Sequence, residues 1–397
     1  MKILMLTPYL PYPPSSGGNI RSFNLIKNLS KNHDIILVSL IKDEKEKDYA
    51  KYLNSYCKKI YTCKRSKTPW TISNIFKSVF GPNPLLIIRN FSPEAKDIIN
   101  HLLKNEHFDL IHAETFYIMP HIPKTNIPIL LVEQTIEYLV YEKFVRENVL
   151  LRPLMLEVWK LKWWEKRYWR KANLVATVSD SDRKKILGIH PDINVEVIPN
   201  AAGEDLMSIF SEKKIIKQPI FLFQGNFFWL QNAEAANILT KNIFPKIKSK
   251  IPNAKCYIAG QKANDKIGYL KNKGVKIIDI ESDDIDQVKK VYREASLFIA
   301  PIEGPGGTRL KILGAMAAGV PVISSLIGVT GLAVTDKVNV LIANTEDEYV
   351  EKAVLVLENP KLYNAIRENA RELIEHTYNW KKITEKLETI YHRLVNK

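Results

Sequence analysis

The chain has 397 residues, of which 46% are hydrophobic, 10% aromatic and 25% charged, with a formal net charge of +15. That length favours two domains over a single core, and the composition excludes disordered, collagen-like and disulfide-framework proteins. No run of about 18 apolar residues occurs, so no segment is expected to span a bilayer.

The opening segment from Met1 to Pro8 carries one lysine, a very short apolar stretch and then prolines. It does not fit a secretory signal, and a cytoplasmic location is expected. Cys57, Cys63 and Cys256 form an odd set without CxxC or Cys/His spacing, so neither a disulfide framework nor a zinc site is expected. Residues 1–198 carry a net +10 and residues 199–397 a net +5. The first half therefore meets the more anionic partner or surface, although a generally lysine-rich composition accounts for the same balance.

In chain order, Lys2 to Thr7 reads as a short apolar strand and Asp34 to Leu40 as another. The helical spacing of Ile20, Phe23, Leu25, Ile26 and Leu29 lies between them, which makes a βαβ unit with a glycine-bearing loop. Leu110–His112, Ile129–Val132, Leu174–Val178 and Val195–Ile198 continue the series. Periodicity stops near Pro199, and a polar stretch to Gln218 reads as a linker. Strands are then predicted at Ile220–Gln224, Ala254–Ala259, Val275–Ile278, Leu297–Ala300, Val322–Ser324 and Val340–Ile342. The tail from Trp380 to Val395 has the apolar spacing of one amphipathic helix. The expected fold class is α/β, with two Rossmann-like, doubly wound parallel-sheet domains facing across a cleft. The expected divisions are a first Rossmann-like domain over 1–198, a linker over 199–218, a second Rossmann-like domain over 219–378, and a helix over 379–397 that packs back on the first domain.

In such sheets ligands settle beyond the carboxyl ends of the strands. The stretch from Ala300 to Val322 reads strand, glycine-rich loop, helix, glycine stop at Gly319, strand. Gly306 and Gly307 let the backbone approach a ligand, Thr308 can cap the helix, and Arg309 and Lys311 add cations suited to phosphate. The combination predicts a diphosphate site. It is neither GxxxxGK[ST] nor GxGxxG, which weakens kinase and dehydrogenase readings. Gly17 and Gly18, between the first strand and first helix, form a second candidate phosphate or acceptor loop, with Arg21 one turn further on.

Phe221 to Phe227, Val291 to Ala295, Gly306 to Leu313, Gly319 to Ser324 and Tyr378-Asn379-Trp380 resemble family-4 glycosyltransferases of the GT-B fold. Thr7-Pro8-Tyr9 and Ser16 to Arg21 fit the same group, so the resemblance covers nearly the whole chain. It implies a hexosyltransferase-type, retaining, metal-independent transfer from a nucleotide-diphosphate sugar, bound by the nucleotide-sugar-binding domain over 219–378, to a glycan or lipid-linked acceptor, bound by the acceptor-binding domain over 1–198, with no cofactor beyond that co-substrate. On this reading Gly225, Asn226, Glu303, Gly306, Gly307, Thr308, Arg309 and Gly314 line the donor site. Arg309 and Lys311 stabilise the departing diphosphate. Asp283-Asp284 is the one carboxylate pair that departs from a metal-free reading, and a solvated loop accounts for it.

Three positions differ from the family pattern. Gly314 stands where a glutamate normally meets the donor ribose, and on the helix face shared with Leu310 and Lys311 it is expected to face the site without offering an acceptor. Gln134 stands where a histidine is usual, with Glu133 and Glu137 as the nearby carboxylates; Gln134 and Glu133 are the catalytic candidates of the first domain. Asn200-Ala201 replaces Asn-Gly in the linker. Gly314 and Gln134 together motivate a second reading, a nucleotide- or glycan-binding protein with impaired catalysis; an epimerase on the same fold matches the motifs less well.

Trp159 to Lys171 holds five aromatics and six cations against one glutamate, a composition suited to an anionic membrane surface as well as to packing against a sheet. The net charge is diffuse and no RNA-binding motif occurs, so no nucleic-acid partner is expected. His101, His112 and His121 lack metal-ligand spacing and read as structural.

Overall fold

The computed structural model describes residues 1–147, 149–210, 216, 218–304 and 310–396. The chain forms two compact units, Met1–Pro199 with Thr384–Lys397, and Asn200–Ile383.

The first unit is built on strands β1 (Lys2–Thr7), β2 (Asp34–Ile41), β3 (Lys59–Lys64), β4 (Leu110–Glu114), β5 (Ile129–Glu133), β6 (Leu174–Thr177) and β7 (Val195–Val197). They pair in the order β3-β2-β1-β4-β5-β6-β7, every pair parallel. The second unit contains β8 (Ile220–Gln224), β9 (Lys255–Gly260), β10 (Val275–Asp279), β11 (Leu297–Ala300), β12 (Val322–Ser324) and β13 (Leu341–Ile342). Their order is β10-β9-β8-β11-β12-β13, again all parallel.

Parallel strands need crossover helices on both faces, so the central strands are apolar on both sides. Ile3 to Leu6 of β1 and Phe221 to Phe223 of β8 are buried on both faces. β3 is absent from the sequence prediction for a physical reason. It forms an edge of the sheet, begins and ends on exposed lysines, and fully buries only Cys63, so it lacks the apolar run of its neighbours.

Both sheets have the strand order 3-2-1-4-5-6 of dinucleotide-binding folds, with β7 added to the first. The order reverses at β1, between β2 and β4, and at β8, between β9 and β11. Residues beyond the carboxyl ends of β1 and β4, and of β8 and β11, therefore occupy the positions where such sheets hold ligands.

The tail helix runs over Trp380–Val395 and buries Ile383, Leu387, Ile390, Tyr391 and Leu394, as its spacing predicts. Among the described residues no helix is long and apolar enough to cross a membrane.

Candidate active site

At the reversal point of the first unit, His112 and Glu114 lie two residues apart on β4 and so project from the same face. Both are fully buried. His112 Nε2 lies 3.0 Å from Glu114 Oε1, and His112 Nδ1 bonds the Tyr391 hydroxyl from the tail helix. Arg21, in the helix Gly17–Leu29, places Nε 3.4 Å from Glu114 Oε1. Its Nη1 donates to the carbonyls of Ile198 and Pro199 at 3.0 and 3.1 Å. Gln134 Nε2 donates to Glu114 Oε2 at 2.6 Å and to the Tyr9 hydroxyl at 2.7 Å.

Burial opposes ionisation of Glu114, but the Arg21 guanidinium and the His112 and Gln134 hydrogen bonds outweigh it and hold the carboxyl below its ordinary range. Burial and the Glu114 charge push the Tyr9 hydroxyl up, so it stays protonated. Gly18 makes room for that ring, because a Cβ there would lie 2.3 Å from the Tyr9 hydroxyl oxygen. Gln134 uses its amide nitrogen on Tyr9 and Glu114, and its carbonyl oxygen is what it can offer a sugar hydroxyl.

Glu133 lies in a different environment. Glu114 pairs in register with Val132, so the next residue, Glu133, points to the opposite face of the sheet. There its Oε1 accepts from Trp169 Nε1 at 2.9 Å. Glu165 accepts from the amides of Glu137 and Tyr138 at 2.8 and 3.0 Å, closing the start of the helix Glu137–Glu147. Burial raises the Glu133 carboxyl well above its ordinary range, and Glu165 adds to the shift. Burial raises Glu165 likewise and carries Glu137 up to about 7, against a hydrogen bond from Tyr117.

In the second unit, β8 and β9 approach so closely at their carboxyl ends that a Cβ on Gly260, whose φ is +143°, would stand 1.8 Å from the Gly225 carbonyl oxygen. Gly225 is itself hemmed in by the side chains of Asn232 and Lys311. Lys311, in the first turn of the helix Leu310–Ala317, donates to Asn232 Oδ1, with its Nζ 4.7 Å from the centre of the Phe223 ring. Asn232 Nδ2 in turn donates to the Asn226 carbonyl at 2.6 Å, and Asn226 Nδ2 to Gln261 Oε1 at 2.7 Å. A cation is thus pinned beside Gly225 at the reversal point and linked through Asn232 to Asn226, and Phe228 and Trp229, which follow Asn226 in the chain, are exposed. Glu303, beyond β11, is exposed. Among the described residues no group of three or more His, Cys, Asp or Glu is placed to hold a metal ion. Asp284 instead caps the helix Ile285–Glu294 by accepting from the Gln287 amide at 2.9 Å.

The Glycosyltransferase Family 4 model matches residues 15–203, and the Glycosyl transferases group 1 model matches residues 218–359. The chain belongs to the family-4 glycosyltransferases. This glycosyltransferase is 24% identical over 399 residues to a 44.6 kDa protein of the cps region of Klebsiella pneumoniae, covering 96% of this chain and 97% of that one. Sucrose-phosphate synthase from Thermosynechococcus elongatus has the same fold at a TM-score of 0.72 and 16% identity, over 100% of this chain and 99% of that one. HepE of Anabaena, solved with UDP and glucose, superposes at a TM-score of 0.65 and 14% identity, over 99% and 100% of the two chains. The architecture is the GT-B fold.

In the glycosyltransferase, Gln134, Gly18 and Arg21 come together in the first unit, and Gly225, Asn226 and Lys311 in the second. Gly17 opens its helix and is exposed. Gly306, Gly307, Thr308 and Arg309 lie outside the described residues. Three placements differ from expectation. Arg21 is fully buried on Glu114 and two carbonyls rather than presented to a ligand. Glu133 is separated from Gln134 by the alternation of the strand. Gly314 faces no open site, because it is buried beneath Leu206 and Tyr292, and a Cβ there would stand 2.9 Å from Leu206 Cδ1. Sequence reasoning missed His112, Glu114 and Tyr391 as members of the first cluster. The His-x-Glu spacing that begins at the last residue of the predicted strand Leu110–His112 was the available signal for the first two.

Three outcomes follow from these environments. Glu114→Ala leaves Arg21 buried without its carboxylate and lowers unfolding free energy in urea by about 3–5 kcal/mol, most of which the pair Glu114→Leu with Arg21→Met restores. Gly314→Glu buries a carboxylate against Leu206 and lowers it by roughly 1–3 kcal/mol, more than the helix-propensity gain of about 1 kcal/mol offsets. Glu137 keeps its proton to about 7 when folded against 4.5 when unfolded. Its contribution is therefore complete below 4.5 and is lost as pH rises through 7, so Glu137→Gln flattens the decline of melting temperature over that window.

Proposed function

We propose that the protein moves a hexose from a nucleoside-diphosphate sugar, held by the second unit, to a glycan or lipid-linked acceptor held by the first, with retention and without a metal ion. The observation that carries this reading is Lys311, a cation fixed by Asn232 and the Phe223 ring at the carboxyl ends of β8 and β9. As the anomeric C–O bond breaks, its electron pair goes to the diphosphate, and a cation already in position there favours the transition state without reorganisation. Gly306, Gly307, Thr308 and Arg309 would add amides and a second cation. Asn226 and the exposed Glu303 are the polar groups closest in sequence for the nucleoside and sugar. The acceptor hydroxyl passes its proton to the departing diphosphate oxygen as the new C–O bond forms, with Gln134 as a hydrogen-bond partner that orients it.

The likeness to a protein of the cps region supports a polysaccharide acceptor. The UDP and glucose bound to HepE support a nucleoside-diphosphate hexose as donor class. The aromatic and cationic helix Met155–Lys171 supports work at the cytoplasmic surface of an anionic membrane. One observation favours a second reading, a binding protein with impaired catalysis: Gln134 spends its amide on Tyr9 and Glu114 and cannot exchange protons.

Thermal shifts with UDP, GDP and ADP identify the base, because a ligand of the folded state alone raises its melting temperature. Nucleotide release from the matching sugar donors, with and without EDTA, then separates transfer from binding alone, and NMR of the product reads the anomeric configuration. Lys311→Ala is expected to lower kcat/KM for donor turnover by about 100-fold to 1,000-fold. Unchanged turnover in that variant, or donor binding with no turnover on any acceptor, would overturn the transferase reading.

A further inference from the structure

The helix Ile72–Phe80 is folded with its polarity inverted. Asn74 and Ser78 are buried at 8% and 3% exposure, while Ile72, Phe76, Val79 and Phe80 are exposed at 87%, 63%, 63% and 76%. The inward polar groups are held in place. Asn74 Nδ2 donates to Ser66 Oγ at 2.9 Å, and Ser78 Oγ donates to Glu157 Oε1 at 2.8 Å. A helix in water ordinarily turns its apolar stripe inward, so this arrangement calls for an apolar phase outside it.

The neighbouring helix Met155–Lys171 joins the same face. Glu157 also accepts from the Leu85 amide at 2.8 Å, and Lys160 Nζ donates to the Ser78 carbonyl. Leu156, Trp159 and Trp163 of this helix are exposed, and the Arg167 guanidinium lies 5.2 Å from the Trp163 ring centre. Residues 65–93 contain no Asp or Glu, whereas Lys67, Lys77 and Arg89 lie among them. Between these elements is a cavity of about 740 Å³, walled by Phe76, Phe80, Ile87, Ile88, Phe91 and Trp164 and edged by Lys77. Phe76 and Phe80 belong both to the exposed face and to the cavity wall, so the cavity opens on that face.

We propose that this face seats the protein on an anionic bilayer and that the cavity receives one hydrocarbon chain of an anionic lipid, with Lys77 and Arg167 meeting headgroup phosphates. A bilayer supplies all three features at once: apolar depth for Ile72 and Phe76, headgroup level for the tryptophans, and anionic charge for the cations. The inference rests on the membrane-surface part of the function proposed above, and it extends that contact from Met155–Lys171 to the inverted helix and its cavity.

Vesicle flotation of the full chain tests it, with phosphatidylcholine alone or mixed with phosphatidylglycerol. The wild type is expected to float with the mixed vesicles only. Ile72→Ser with Phe76→Ser should lower partitioning about tenfold or more, and each of Lys77→Glu and Arg167→Glu at least about fivefold. Ile72 and Phe76 are exposed, so circular dichroism should show the doubly substituted chain folded. Native mass spectrometry with lysophosphatidylglycerol is expected to retain one molecule on the wild type and none on Ile88→Trp, which fills the cavity. Equal flotation with both vesicle types, undiminished flotation of the variants, or lysolipid retained by Ile88→Trp overturns the proposal. So does a dimer in light scattering that the Ile72/Phe76 substitutions dissolve, since a second copy would then be the occupant. Nucleotide thermal shifts on the same variants should stay at the wild-type value. If no nucleotide shifts any variant while flotation behaves as expected, the donor reading fails and the membrane face stands.

Discussion

A carboxylate removed from water is tolerated only where a cation and hydrogen-bond donors surround it, and Glu114 at the end of β4 is such a group. Arg21 supplies the charge, and His112 and Gln134 supply the hydrogen bonds. Meeting that requirement fixes the helix after β1 against β4, ties the carbonyls of Ile198 and Pro199 to the same guanidinium, and brings the residue after β5 into contact with Tyr9. The absence of a side chain on Gly18 belongs to the same arrangement, since the Tyr9 hydroxyl occupies the space where its Cβ would stand. The strand-end surface of the first unit is therefore set by a buried charge that itself stays out of solvent.

The two units solve the problem of the strand ends differently on the same topology. In the first, the reversal point is filled by a neutralised polar network. In the second, a cation is left at the reversal point, steadied by an amide oxygen and an aromatic face. The proposed function uses this contrast: a fixed cation suits an anionic group, and a neutralised network suits hydroxyls. Glu114 and Glu133, at the ends of adjacent strands, differ in the same way: Arg21 holds the first carboxyl below its ordinary range, whereas burial and the nearby Glu165 push the second well above it.

Much of the architecture was legible because parallel strands buried on both faces leave unbroken apolar runs. The helix ending at Ala317 with Gly319 in the left-handed region beyond it, and the tail helix from Trp380, were legible for similarly local reasons. What was not legible depended on partners distant in sequence. Gly314 looked open from its helix position, but Leu206 of the short helix Glu204–Met207 covers it. Arg21 looked like a ligand contact until Glu114 closed on it. The inverted polarity of Ile72–Phe80 could not be read from its spacing, because periodicity gives the faces of a helix without saying which one turns inward.

The first unit is discontinuous in the chain, since residues from Thr384 onward complete it. Tyr391, which bonds His112, is 279 residues away from it, and Glu388 reaches His33 and Asn32 across more than 350. During synthesis the amino-terminal sheet therefore emerges with part of its core still inside the ribosome, and it must wait for the entire second unit before that gap is sealed. Chains that stall or are clipped before Thr384 lack the residues that cover His112 and its apolar surroundings, and exposed apolar surface of that kind is what chaperones and proteases act on.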